Sequence, residues 1–430
     1  MFVTTGDTGI SQTTSWKVVL PFYGYAAIAF LCATLLLLFS TNEITKHYFH
    51  PHSLAITHVM ALGWGTMIIL GASHQLVPVL IEGKLYSIKL AYWSFILAGI
   101  GIPLLVYGFW IFNMGWPAKW GGRLVILAII MYLINLAVSI TKSKHENVHA
   151  IFVFTAALWL LATATLGLVL VYNFSYPLIS RDSIDYLPLH AHVGVVGWFL
   201  LLVIGVGSRL IPMFLISKYT NKRQLWLIYG LINGGLIAFI FIFLFSDGGL
   251  LLIIPAVAVA AAILVFGNFC YRSYKERIRK KVDEQMKVSL LSVLLMLLPL
   301  VFLVIIITLL LKSTEENITL VISYGFIIFF GWITAIILGM TFKTLPFIVW
   351  NKVYHRLAGK VKTPNPKDLF SNTIFKWMSI VYLFGFGLFT IGILFQLTIM
   401  LHSAAVLLLI ASLLYNWNVM KLLMHKPVAL

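Results

Sequence analysis

Residues 63–84 read GWGTMIILGASHQLVPVLIEGK, and the same frame returns twice, as GWFLLLVIGVGSRLIPMFLISK at 197–218 and GWITAIILGMTFKTLPFIVWNK at 331–352. In each copy Gly-Trp is followed by six residues and Gly, six more and Pro, then five and Lys. The first copy is Gly63, Trp64, Gly71, Pro78 and Lys84. The second is Gly197, Trp198, Gly205, Pro212 and Lys218, and the third is Gly331, Trp332, Gly339, Pro346 and Lys352. Successive tryptophans are 134 residues apart both times, with no gap inside the frame. Self-similarity at a fixed period identifies a chain built from repeated units.

Composition says what kind of unit is repeated. The chain has 430 residues, 61% hydrophobic and 10% charged, and its mean hydropathy is +1.00. Apolar runs long enough to cross a hydrocarbon core of about 30 Å recur along its length. They fall at 18–40, 54–80, 87–112, 122–140, 149–173, 189–216, 224–246, 249–271, 288–311, 318–350, 373–397 and 399–424. Lipid-exposed backbone must satisfy its own hydrogen bonds, and no strand-period pattern is present, so these runs are expected to be helices. The three tryptophan frames fall on the second, sixth and tenth spans. The expectation is an all-α integral membrane protein, one membrane domain over 1–430. Its twelve transmembrane helices form three four-helix arcs (18–140, 149–271 and 288–424) around a pseudo-threefold axis.

At 100° per residue, the Trp, Gly and Pro of one copy lie within about 40° on one helix face. Glycine permits close helix approach, and proline is tolerated where neighbours satisfy the freed carbonyl. These positions therefore read first as packing residues of three equivalent helices. Eleven residues after each Trp stands a polar side chain: Gln75, Arg209 and Lys343. At that depth such groups either snorkel to the interface or line a proton or anion path.

The net charge of +17 invites a nucleic-acid partner, but its placement points to the membrane instead. Basic residues concentrate in alternate turns, with Arg272, Lys275, Arg277, Arg279, Lys280 and Lys281 in one of them. The opposite turns hold only Lys46, Lys119, Arg123, Arg181 and Lys312. This bias places both termini in the cytoplasm and the chain in the cell (inner) membrane, with anionic lipid headgroups as its basic-side contact. Cys32 and Cys270 stand alone in separate spans, which leaves no disulfide framework. Residues 1–16 lack a basic signal-peptide region, so the first span is read as an anchor.

The twelve histidines are uneven. His47, His50, His52, His58, His190, His192 and His402 fall in outer loops or outer helix ends. His145, His149, His355 and His425 lie on the cytoplasmic side, and His74 lies toward the inner end of the second span. His58 and His192 both precede their Trp by six residues, where the third copy has Phe326; two residues earlier stand Ile56, His190 and Tyr324. Residues two apart on a helix differ by about 200°, so His190 and His192 suit two neighbouring sites rather than one. Imidazole is the commonest metal ligand and a frequent axial ligand of haem iron. His58, His190, His192 and His402 are therefore the candidate cofactor ligands, and His50 and His52 a candidate metal pair. Each also has a structural reading: His50-Pro51-His52 as plain loop, His402 as an interfacial residue, His74 as a hydrogen-bonded core or proton-path residue.

These features resemble a known superfamily. Twelve helices in three arcs with both termini inside is the architecture of the haem–copper oxidase catalytic subunit. His58-Val-Met-Ala-Leu-Gly-Trp64, running to Leu76-Val-Pro78, looks like the low-spin haem ligand helix of the cbb3-type branch. His190-Ala-His192, with Gly197-Trp198 behind it, resembles segments of NnrS-type haem- and copper-containing membrane proteins. The resemblance implies a haem held by His58 or a helix-6 histidine, with copper as a second cofactor. It implies a role in respiratory electron transfer or in handling a diatomic gas (O2 or NO), with an extracytoplasmic or membrane-bound electron donor. The departures narrow it: the tenth span reads Tyr324-Gly-Phe326 without histidine, and residues 224–246 lack the family's copper-binding pair. A proton-pumping terminal oxidase of the usual mechanism is therefore not expected; if the chain is an enzyme, it is a divergent oxidoreductase of this type. Two other classes stay open. One is a transporter, on the strength of Arg209 and Lys343; the other is an assembly factor that passes copper or haem through the His47/His50/His52 loop.

Overall fold

The computed structural model describes residues 14–81, 83–142, 147–246, 249–312, 317–358 and 360–427; His145 lies outside them. Twelve helices in it are long and apolar enough to cross a membrane. They are α1 (Trp16–Phe39), α2 (Pro51–Leu80), α3 (Ile88–Trp110), α4 (Trp116–Thr141), α5 (Val148–Asn173) and α6 (Leu187–Leu215). The chain continues as α7 (Lys222–Phe245), α8 (Gly249–Lys275), α9 (Glu284–Lys312), α10 (Ile318–Tyr354), α11 (Asn372–Leu394) and α12 (Thr398–Leu423). Among the described residues the extended pairings are isolated bridges, Ser217 with Arg277 and Ala358 with Val361.

Polar caps set where many helices begin. Ser87, Asn147, Asn221, Asp283, Asn317 and Ser371 each accept a backbone N–H from the first turn that follows. Before α2, the N-cap is His50, whose Nδ1 accepts the His52 N–H, and Pro51 takes the first helical position. That corrects the reading of 50–52 as loop: the helix starts at the proline, and His52 sits in its first turn.

The tryptophan-bearing helices α2, α6 and α10 change pitch at matching places. Each passes from α to π geometry, over Val59–Thr66, Val193–Leu200 and Ile327–Ile333, and back. The 100° arithmetic used above therefore fails across the Gly-Trp pair, where the helix holds an extra residue per turn; π turns of this kind gather at functional sites. Beyond them the glycines let these helices approach the one that precedes them. A Cβ at Gly71 would strike Phe22 of α1, one at Gly205 Phe152 of α5, and one at Gly339 Ser289 of α9. Pro78, Pro212 and Pro346 all lie inside their helices.

The tryptophans join helices of different copies. Trp64 Nε1 donates to Thr334 Oγ1 of α10 (3.2 Å), and Trp198 Nε1 donates to Thr66 Oγ1 of α2 (3.0 Å). Thr66 and Thr334 occupy the same repeat position, where the second copy has Leu200. Phe30 of α1 stacks on Trp64 at 4.6 Å. All of this is buried, so α2, α6 and α10 form the centre of the bundle.

The three inner polar positions diverge. Gln75 is half-buried with its Oε1 lacking a hydrogen-bond partner, and Arg209 is exposed. Lys343 is 9% exposed, and its Nζ bonds Asp283 Oδ2 at 2.6 Å. Asp283 also caps α9 through Met286 N and pairs with Arg279. Replacing Asp283 by Ala removes a cap, worth about 1 kcal/mol, and strands a buried ammonium, worth about 3 kcal/mol or more. Thermal unfolding in detergent is expected to fall clearly for Asp283→Ala. Adding Lys343→Met to that variant should recover part of the loss; if the two substitutions simply add, the pair is not coupled.

Candidate functional site

The backbone fixes the tautomers of two histidines at the end of the bundle where α2 and α6 begin. His58 Nδ1 lies 2.7 Å from the Leu54 carbonyl, four residues back on its own helix, and His192 Nδ1 lies 2.8 Å from the Pro188 carbonyl. A carbonyl only accepts, so in both rings Nδ1–H is the donor and Nε2 carries the free lone pair.

His58 and His190 face each other across the α2–α6 boundary. Their ring centroids are 6.2 Å apart with an 18° angle between planes, and Phe109 of α3 packs on His58 at 4.5 Å. His190 Nδ1 is buried, and the Thr163 carbonyl of α5 interacts with the ring. Its ring fits because α5 carries Gly167 there: a Cβ at that position would come within 2.7 Å of His190 Cε1. Phe109 and Gly167 went unnoticed in the sequence, where nothing distinguishes them from other lipid-phase phenylalanines and glycines.

The α6–α10 boundary repeats the arrangement one step on. His192 meets Tyr324, whose hydroxyl lies 3.3 Å from Nε2, and their rings are 5.9 Å apart. With Nδ1 already donating to Pro188, the tyrosine O–H is the donor to Nε2. Phe239 of α7 lies 5.2 Å from His192, as Phe109 does beside His58. In the third copy Phe326 stacks with Phe330, Phe386 and Phe389, an all-carbon cluster with no donor or acceptor. One repeat position thus yields a His–His niche, a His–Tyr niche and an aromatic plug.

The remaining candidates lie apart from these niches. His402 is exposed, and its ring bonds Thr41 Oγ1 (2.8 Å from Nε2) and the Thr398 carbonyl. His50 Nε2 lies 3.2 Å from Glu43 Oε2, and the Lys46 hydrogen bond holds the Glu43 carboxyl below the usual carboxylate range. His52 stacks flat on Trp110 at 3.8 Å, and the His50 and His52 rings meet edge to face at 5.1 Å. His74 is buried between Phe22 and Tyr132, and the Leu70 carbonyl interacts with its ring. Among the described residues no three His, Cys, Asp or Glu side chains converge to hold a metal ion. Cys32 and Cys270 are free.

Two imidazoles, His58 and His190, thus face each other, and among the described residues no third donor joins them to make a three-histidine copper centre. Imidazoles on opposite sides of one metal, each bonded at about 2 Å, hold their ring centres roughly 6 Å apart. The His58 and His190 ring centres are 6.2 Å apart.

A solved structure of a haem–copper terminal oxidase dimer is similar in fold, with a TM-score of 0.56 over 95% of this chain and 85% of that one. The two sequences are 11% identical, a level at which the likeness speaks for the fold alone. No family model and no curated protein sequence matches the chain.

Proposed function

We propose that this membrane protein binds haem, which His58 and His190 would hold, and serves respiratory electron transfer. The observation that carries this reading is the 6.2 Å pairing of the two rings across the α2–α6 boundary. When bound, the haem supplies a one-electron centre whose potential depends on its ligands and surroundings. The chain's own part is orientation. The Leu54 carbonyl holds His58 in one tautomer and strengthens its Nε2 as a donor, the usual task of a group behind a metal ligand. Gly167 leaves room for the His190 ring, and Phe109 packs against the His58 ring.

Were both His58 and His190 to hold the haem iron, that niche would suit electron transfer rather than gas binding. O2 or NO handling belongs instead to the His192 niche, with its single imidazole and the Tyr324 hydroxyl beside it. Copper finds no such niche among the described residues, since His50 turns to Glu43 and His52 onto Trp110 and no three-ligand group forms. Three four-helix arcs around a common axis account for the matched π turns, and for tryptophan bonds that run from copy to copy in one rotational sense. The charge bias of the turns supports an orientation with the termini in the cytoplasm and the histidine end outside the cell membrane, within reach of an extracytoplasmic or membrane electron donor. A transport reading loses one of its two charges, since Lys343 is tied to Asp283.

The test is the visible spectrum of protein purified from haem-replete cells. A Soret band, sharp reduced α and β bands and about one haem per chain are expected. A folded, colourless protein overturns the reading.

A further inference from the structure

Two cations at the histidine end lack a carboxylate partner. Lys119 and Arg123 stand four residues apart in the first turns of α4, both half-buried. Like charges at that spacing repel, and the positive end of the helix dipole adds to the cost. No Asp or Glu among the described residues lies within ion-pair distance of either; the ion pairs present involve Lys46, His50, Arg279, Lys287 and Lys343.

What surrounds them instead is aromatic and hydroxylic. Lys119 Nζ sits 4.9 Å from the Tyr172 ring centroid and 5.2 Å from that of Tyr176, and it donates to Ser175 Oγ at 2.7 Å. The Arg123 guanidinium lies 4.7 Å from the Trp120 ring and 5.5 Å from Tyr172, whose hydroxyl accepts from it. Tyr172 is thus shared by both cations. These contacts hold both side chains against Tyr172, yet aromatic faces only partly offset the repulsion of paired charges. Around them Trp116, Trp120, Phe174 and Tyr176 are exposed, the residue types that gather at the depth of lipid headgroups.

We propose that Lys119 and Arg123 form a binding site for the phosphate of an anionic phospholipid in the leaflet on the histidine side. A phosphate between the two cations takes a forked contact from the guanidinium and a point charge from the ammonium. The surrounding aromatic side chains then rest against its acyl chains. The site stands on its own observations and does not depend on haem.

Native mass spectrometry tests it, on protein reconstituted in nanodiscs of phosphatidylglycerol or phosphatidylcholine. The wild type is expected to keep phosphatidylglycerol adducts, and K119Q/R123Q to lose them about tenfold or more, as loss of charge-assisted contacts implies. The charge-preserving K119R should keep them, and circular dichroism checks that each variant is folded. Adducts equal in wild type and double variant overturn the proposal, as does equal retention of phosphatidylcholine. Displacement of the lipid by millimolar inorganic phosphate alone also overturns it, in favour of a free-anion site. If the double variant does not fold, the same comparison is made with R123Q alone.

Discussion

Replacing His58 with alanine is expected to turn a six-coordinate, low-spin haem spectrum into a five-coordinate, high-spin one and to lower haem retention sharply. Losing a group that merely supports a metal ligand costs about 10–100-fold in affinity, so losing the ligand costs at least as much. His190→Ala should do the same, because the two rings are a pair at 6.2 Å. His192→Ala should leave the low-spin bands in place, since its ring belongs to the Tyr324 niche. A third substitution guards against simple misfolding. His58→Met keeps an axial donor of similar reach, so it should retain a low-spin spectrum at a raised midpoint potential, as Met/His ligation does relative to other haem ligand sets. Haem content and spectrum unchanged in both His58→Ala and His190→Ala would remove the axial-pair assignment. An equal loss in His192→Ala would show that the effect is structural.

The reach of the sequence differs between the bundle and the niches. Span number follows from apolar run length, and the Trp–Gly–Pro frame locates the helices that become central. Both are one-dimensional signals, so both are legible in one chain. The pairing of His58 with His190 and of His192 with Tyr324 is not, because it depends on the stagger between neighbouring helices. Tyr324 shows this most clearly. In the sequence it marks a histidine missing from the tenth span, whereas in the fold it is the hydroxyl that meets His192 Nε2. The π turns were hidden for another reason. Val59–Thr66 and its two counterparts contain no proline, and the glycines they carry lower helix propensity without specifying a π turn. Lys343 was legible as an expensive buried charge, but its partner Asp283 lies 60 residues away on the turn before α9. His50 and His52 looked like a chelating pair because their spacing is short. The proline between them starts a helix and sends one ring to Glu43 and the other onto Trp110.

Gly339→Val is expected to prevent α10 from seating on α9 and to abolish recovery of folded protein. An added Cβ there would come within 2.7 Å of the Gln285 carbonyl oxygen and 2.8 Å of the Ser289 backbone nitrogen. Both are backbone atoms of a helix, so relief requires moving α9 as a whole rather than turning a side chain. Overpacking a close core contact costs about 1–3 kcal/mol even where side chains can adjust, and more where backbone must move. The displacement would also pull at the Lys343–Asp283 bond, which joins the same two helices one turn away. Gly325→Ala supplies the control within α10, since a Cβ at that glycine meets nothing within 4 Å. It should leave yield and thermal midpoint unchanged, or raise the midpoint slightly through better helix propensity. Size-exclusion profiles and thermal unfolding in detergent distinguish the outcomes. If Gly339→Val gives a monodisperse protein as stable as the wild type, then close approach at the repeated glycine is not what holds the third copy together. The equivalent contacts at Gly71 with Phe22 and Gly205 with Phe152 would then lose their standing as packing constraints as well. Gly71→Ala and Gly205→Ala are expected to be costly too, since the nearest atom at each is a phenylalanine Cβ, of Phe22 and Phe152, which moves only with its own helix.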